Sequence, residues 1–317
     1  MTQTVLILGA AGRFGRHATK AFLAAGWRVR SFQRPCRTAI KGTDAHFGTL
    51  DDIATAAKGA DLIVNALNPP YHHWAQELPK QTNAVIKAAQ QADATILFPG
   101  NLYNYGTTLP PLLKETTPHN GDHKKARLRI EAEAAYRAAG VRTIILRAGD
   151  FIDDTVGGNW LDSYIANKAH EGRITYPGPT DQPHAWAWLP DMARAAVMLA
   201  DRRETLPVFQ EVNFPGYTLS GAALSAAAET AMGHTMKQAR FPWWALSLIA
   251  PFSPLMREVK AMRYLWEKPH QIDGTLFHEL LPEFVATPLH AAMTQALSGY
   301  AADAILKDPA LLKPEIA

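Results

Sequence analysis

The chain has 317 residues, enough for one large domain or for a domain with a smaller lobe. Apolar residues make up 47% and charged residues 19%, which excludes a mostly disordered polypeptide. The 32 basic and 29 acidic side chains leave a net charge of +3, too small an excess to mark a nucleic-acid binder but compatible with an anionic ligand, and the single cysteine, Cys36, excludes an intrachain disulfide framework.

Met1 to Thr4 lead straight into Val5-Leu6-Ile7-Leu8, without a basic n-region or a small-residue cleavage site. With the lone cysteine, this makes the reducing cytoplasm the expected location. Short β-branched runs at 5–8, 28–32, 62–65, 95–99 and 143–147 alternate with helical patterns at 13–25, 51–58, 74–92 and 122–139. Continuous apolar strands separated by helices predict a parallel sheet covered on both faces, wound in both directions by right-handed crossovers. After Phe151 the regularity fades into stretches rich in glycine and proline. Helical patterns return at 190–200 and 219–232, and an apolar, Trp-rich pattern runs from 243 to 266. Its most apolar part, 243–252, is interrupted by Ser247 and Pro251 and is too short to span a bilayer, so no membrane partner is expected. The expected division is an α/β doubly wound domain over 1–150, a smaller substrate lobe over 151–305 whose elements partly return to the sheet, and a tail over 306–317.

The strongest local signal is Gly9-Ala10-Ala11-Gly12-Arg13-Phe14-Gly15, which follows the first strand and opens the first helix. Gly9 permits a tight turn, Gly12 lets backbone approach a pyrophosphate, and Gly15 lets the helix pack close to the sheet. The helix N-terminus then offers N–H groups and a positive dipole end to phosphates. This is a dinucleotide-binding Rossmann pattern.

The glycine spacing, G-x-x-G-x-x-G, resembles the short-chain dehydrogenase/reductase superfamily, in particular its extended and atypical branches. Gly48-Thr49-Leu50-Asp51-Asp52 resembles that superfamily's turn beside adenine, and Asn65-Ala66-Leu67 its small-residue strand end beside the adenine ribose. The run from His184 to Ala193 resembles a late aromatic strand entering an Asp-led helix, and Asp273 with the stretch to Pro288 resembles the end of the epimerase/dehydratase branch. The resemblance implies a bound nicotinamide cofactor contacted by Gly9, Gly12, Arg13, Phe14, Gly15, Leu50, Asn65, Ala66 and Leu67. An NAD site places an acid about 20 residues past the glycines, for the ribose 2′-OH. Here the sequence reads Ser31-Phe32-Gln33-Arg34, so NADP is expected over NAD, with Arg34 and Arg13 available to a 2′-phosphate.

The catalytic pattern of the superfamily is broken. Its members use a Ser or Thr with Y-x-x-x-K. In Phe98 to Gly106, Asn101 takes the place of the Ser or Thr, and Tyr103 and Tyr105 are substitute phenols. If Lys125 matches the superfamily lysine, Gly121 stands where the tyrosine belongs; if Lys124 matches, Asn120 does. Lys125-Ala126-Arg127-Leu128-Arg129-Ile130-Glu131 resembles the lysine-led helix of isoflavone-reductase-like enzymes, which favours Lys125, near the nicotinamide ribose. Asn101, Tyr103 and Lys125 are therefore the candidate catalytic residues. His72-His73 lacks metal-ligand spacing, and no metal is expected.

These readings predict an NADP-dependent oxidoreductase reducing a small carbonyl or conjugated compound. A nucleotide-sugar epimerase or dehydratase and a non-enzymatic NADP-sensing regulator are the alternatives. The expected partner is a small molecule, not nucleic acid.

Overall fold

A computed structural model describes residues 2–298. The expected tail, and the part of the expected lobe beyond 298, lie outside the described residues. In chain order the first half contains β1 (Thr4–Leu8), α1 (Arg13–Ala24), β2 (Arg28–Gln33), β3 (Asp44–Phe47), α2 (Ile53–Ala57), β4 (Leu62–Asn65), α3 (Trp74–Ala92), β5 (Thr95–Gly100), β6 (Leu112–Leu113), α4 (Lys124–Ala138) and β7 (Thr143–Arg147). The second half contains β8 (Asp150–Ile152), β9 (Arg173–Tyr176), β10 (Pro183–Trp188), α5 (Leu189–Asp201), β11 (Phe209–Asn213), β12 (Tyr217–Ser220), α6 (Gly221–Met232) and β13 (Lys237–Arg240). It ends with α7 (Trp243–Ile249), α8 (Pro254–Lys260), α9 (Arg263–Glu267), β14 (Gln271–Ile272), α10 (Thr275–Leu280) and α11 (Leu289–Ser298).

The main sheet is seven-stranded and parallel throughout, in the order β3-β2-β1-β4-β5-β7-β11. Every residue of β1, β4 and β7 is buried, as strands covered on both faces require. Alternate side chains divide between two cores. Val5, Ile7, Leu62 and Val64 pack with α1 and α5, whereas Leu6, Leu8 and Ile63 pack with α2, α3 and Tyr136 of α4. Burying each such aliphatic side chain stabilises the sheet by about 1.5–3 kcal/mol. The strand order reverses between β1 and β4, and the crevice outside their C-terminal ends is the binding position of such sheets.

Two strands of this sheet escape the sequence pattern. β3 reads Asp44-Ala45-His46-Phe47, with no buried residue, and β11 reads Phe209-Gln210-Glu211-Val212-Asn213, with only its last two buried. The second joins the sheet from well beyond Phe151. The pattern at 219–232 is also two elements, β12 and then α6, divided where the Ser220 hydroxyl caps the helix by accepting from the Ala223 N–H at 3.1 Å. The expected single helix over 243–266 is three short ones. Pro251 has no N–H to continue α7, and Ser253 and Pro254 restart the chain as cap and first residue of α8.

Outside the main sheet, β10 pairs parallel with β8 and antiparallel with β12. Around it Trp160, Tyr176, Trp186, Trp188 and Trp266 build an aromatic core that meets Tyr71 and Trp74.

Candidate functional site

The glycine loop lies at the reversal point. Gly9 adopts φ +72°, and a Cβ there would stand 2.8 Å from the Ala66 carbonyl oxygen. A Cβ on Gly15 would stand 2.2 Å from the Gly9 carbonyl oxygen, so only glycine lets α1 approach the turn. Gly12 is the N-cap of α1 and makes no side-chain cap hydrogen bond. The first-turn N–H groups and the dipole end are thus presented by bare backbone, an arrangement that fits a pyrophosphate. The Phe14 side chain is buried in the core against α5, so only its backbone faces the loop. Arg13 donates to the Gly157 carbonyl at 2.8 Å, which anchors its guanidinium on the segment after β8.

Arg34 stands exposed just beyond β2. Leu50 opens a single helical turn in which Asp52 accepts from the Thr49 N–H at 2.8 Å. Asn65 is buried, donates to the Tyr136 hydroxyl at 2.8 Å and accepts from the Leu67 N–H at 3.3 Å, which sets the course of Ala66 and Leu67 past Gly9.

The second half of the site is built on the turn after β5. The Asn101 side chain caps this turn, accepting from the Tyr103 N–H at 3.0 Å. The Tyr103 hydroxyl lies 2.6 Å from the Tyr71 hydroxyl. Burial raises the pKa of both phenols, Tyr103 well above the usual range, although the hydrogen bond between them opposes the shift at Tyr71. Tyr105 instead points into the interior, where its hydroxyl is buried without a partner.

Lys124 and Lys125 separate as helix neighbours do: Lys124 is exposed and Lys125 is 2% exposed. The Lys125 ammonium donates to the Glu258 carboxylate and, at 2.9 Å, to the Glu258 carbonyl on α8. It also sits 5.0 Å from the centre of the Tyr71 ring. Burial lowers its pKa, and Glu258 offsets part of that shift. At Gly121, where the tyrosine would stand if Lys125 is the matching lysine, a Cβ would stand 2.3 Å from the Ala126 Cβ, so α4 leaves no room there for a phenol.

Tyr71 and Glu258 escaped the sequence reading. Tyr71 sits beside the more conspicuous His72-His73, and no local pattern joins Glu258 to a lysine 133 positions away. A further pair, Asp150 and His184, meets at 2.8 Å, with the imidazole stacked 4.2 Å from Trp266. Among the described residues two groups have ligand-type atoms within 4.8 Å of one another, His17-Asp153-Asp154 and His119-Glu133-Glu211. Each already meets an arginine, Arg16 at Asp153 and Arg147 at both Glu133 and Glu211.

The model of the NAD dependent epimerase/dehydratase family matches residues 5–214, from β1 to the residue after β11. The chain belongs to this family. It is accordingly an enzyme of the extended short-chain dehydrogenase/reductase type, and its cofactor is a nicotinamide dinucleotide. Similar solved structures include a nucleoside-diphosphate-sugar epimerase from Pseudomonas aeruginosa, at 17% identity and TM-score 0.73 over 96% of this chain and 99% of that one. A UDP-glucose 4-epimerase from Bifidobacterium longum, solved with NAD+ and UDP, aligns at 16% identity and TM-score 0.72 over 94% and 98% of the two chains. A UDP-N-acetylglucosamine 4-epimerase from Bacillus cereus aligns at 14% and 0.71 over 93% and 95%. At these identities the likeness is one of fold. No curated protein sequence matches the chain.

Within this epimerase/dehydratase-family fold, a buried arginine fixes the turn after β5. Arg147 donates to the Asn101 carbonyl at 2.6 Å, and its guanidinium meets Glu133 of α4 at 2.7 Å and Glu211 of β11 at 2.6 Å. Asn104 adds a hydrogen bond to Glu133 at 2.8 Å. The turn carrying Tyr103 is thereby tied to α4, β7 and β11 at once.

Proposed function

We propose that this enzyme is an NADP(H)-dependent oxidoreductase that reduces a small, partly apolar carbonyl or conjugated compound. The observation that carries this reading is the Tyr71–Tyr103 hydroxyl pair at 2.6 Å, with both phenols held in their protonated form by burial. Epimerising or dehydrating a nucleotide sugar starts by taking a proton from a sugar hydroxyl, which calls for a phenolate. A protonated phenol suits the opposite task, giving a proton to the oxygen of a carbonyl as it is reduced. The lysine that would favour a phenolate is engaged with Glu258.

In this reading the backbone of Gly9, Gly12 and Gly15 and the first turn of α1 hold the pyrophosphate. Leu50, Asn65, Ala66 and Leu67 border the adenosine. Arg34 pairs with a 2′-phosphate, which favours NADP over NAD because no acid competes at the end of β2. The bound cofactor supplies the hydride. Tyr103 gives its proton to the substrate oxygen, the Tyr71 proton passes to Tyr103, and a proton from solvent restores Tyr71, so that each turnover takes up one proton. Asn101 holds the turn in place, and Lys125 positions the Tyr71 ring. Trp74, 6.1 Å from Tyr103 between ring centres, backs the phenol from within the core.

Nucleotide-sugar epimerisation is the second reading, supported by the names of the solved structures of like fold. A panel of aldehydes, ketones and enones with NADPH, read at the nicotinamide absorbance, is expected to show consumption of NADPH. Interconversion of UDP-sugars without net consumption of a dinucleotide would overturn the reductase reading in favour of the second.

A further inference from the structure

Eight large hydrophobic side chains are conspicuously exposed among the described residues, and four of them fall within ten positions: Trp244 at 73%, Leu248 at 67%, Ile249 at 53% and Phe252 at 88%. Trp244 and Leu248 are one turn apart on α7 and lie together, and Ile249, about 100° further round, widens the outward side away from Leu246 and Trp243. Phe252 extends the patch from the turn in which its N–H reaches the Ile249 carbonyl at 3.0 Å. The opposite side of α7 is docked. Leu246 lies in the aromatic core, and the Trp243 indole donates to the Pro177 carbonyl at 2.6 Å. The outward face is therefore held in place by an anchored helix, and a contiguous apolar face of this kind marks an interaction surface.

The charge of the segment that carries the patch indicates what it meets. Residues 240–268 contain five basic side chains and two acidic ones, a surplus of three equal to the net charge of the whole chain. Both acids are already paired, Glu258 with Lys125 and Glu267 with Arg263. Arg240, Arg257, Lys260, Arg263 and Lys268 are all exposed, and the Arg263 guanidinium lies 5.6 Å from the Trp243 ring at the foot of α7. A second copy of the chain would bring the same basic rim against itself. An anionic bilayer matches both parts, with headgroup phosphates for the rim and the acyl boundary for Trp244, Leu248, Ile249 and Phe252. No helix among the described residues is long and apolar enough to cross a membrane, and a helix of seven residues is suited to lying in the interface.

We infer that α7 and the turn through Phe252 seat this protein on an anionic lipid surface. The inference departs from the expectation of no membrane partner, and it is independent of the reaction catalysed. The test is co-sedimentation of the full chain with vesicles of phosphatidylcholine alone and of phosphatidylcholine mixed with phosphatidylglycerol. Binding is expected on the mixed vesicles and to weaken as salt is added. Trp244→Ser with Phe252→Ser should weaken it at least tenfold. Arg257→Gln with Lys260→Gln should weaken it on the mixed vesicles by about fivefold per charge removed. All four side chains are exposed, so melting midpoints should stay at the wild-type value. Failure of the wild type to pellet with the anionic vesicles, or equal pelleting by the Trp244/Phe252 variant, would overturn the inference. So would a dimer in sedimentation velocity that the same two substitutions dissolve, since the face would then join copies of the chain.

Discussion

Arg147 and Glu211 face each other at 2.6 Å across the neighbouring strands β7 and β11, the arginine fully buried and the glutamate largely so. Burial alone would raise the Glu211 pKa, but the Arg147 guanidinium and the His119 ring together outweigh it, and the carboxyl is held down at about 2 against an ordinary value of 4.5. The sign follows from proton binding. The unfolded chain takes up a proton on Glu211 at higher pH than the folded chain does. The stabilisation is therefore complete above about pH 4.5 and is lost as pH falls toward 2. At about 1.4 kcal/mol per unit the contribution is roughly 3 kcal/mol. Glu211→Gln should lower stability at neutral pH by about that much, and its melting midpoint should fall less steeply than that of the wild type between those two pH values. Parallel curves for the two proteins would show that the pair contributes no acid sensitivity.

Tyr103→Phe removes the proposed proton donor and keeps the ring. Turnover should fall by about 10²-fold, while NADPH affinity stays near its wild-type value. Tyr71→Phe should cost less, because Tyr103 keeps its own proton and loses only the group that replenishes it. The pKa of Tyr103 is raised, so wild-type reduction should show no alkaline loss of activity through the ordinary tyrosine range. Pre-steady-state rates of both variants across pH, with a substrate found by the panel, check all three statements. Undiminished turnover in Tyr103→Phe would remove it from the chemistry.

The glycines of the first loop should fail in different ways. Gly12→Val adds bulk where the pyrophosphate must approach, starting from a Cβ already 3.1 Å from the Gly9 carbonyl oxygen. Calorimetry should show NADPH binding lost in a protein that still melts cooperatively. Gly15→Ala forces a Cβ to 2.2 Å from backbone, so it should lower stability by several kcal/mol whether or not cofactor is present. Unchanged NADPH affinity in the Gly12 variant would place the cofactor elsewhere.

Arg34→Ala should narrow the preference for NADPH over NADH by about 1.5–3 kcal/mol, the value of a hydrogen bond to a charged group. Arg13→Ala should change that preference less, because its guanidinium is anchored on Gly157. Dissociation constants for both nucleotides on the three proteins provide the comparison. A wild type that binds NADH more tightly would reverse the reading of β2.

The sequence reads clearly where physical demands are local. A buried parallel strand needs an unbroken apolar run, and a pyrophosphate turn needs glycines at fixed offsets, so β1, β4, β5, β7 and the loop at Gly9 are legible from residue order. β3 and β11 are not, since both carry polar residues at the two borders of the sheet, where only one neighbour covers them. In the site, Tyr103 and Lys125 are visible as candidates because they fall near family positions. Their partners Tyr71 and Glu258 are reached only through tertiary folding, which sequence spacing does not encode. The Trp-rich stretch after Trp243 shows the opposite fault. Its apolar periodicity suggests one helix, and two prolines and a serine cap override it.

The position of β11 has a consequence for synthesis. A ribosome releases β1 through β7 well before β11, which follows about sixty residues later, and until then β7 presents its backbone N–H and C=O groups as a bare edge. Arg147, at the end of that edge, meanwhile lacks the carboxylate of Glu211. A chain cut short near residue 150 would keep that open edge permanently and would tend to aggregate. The nucleotide half of this protein is thus not a detachable module. Its completion waits on a strand supplied from the other half, and the last border of the sheet closes only when the chain beyond β10 is being made.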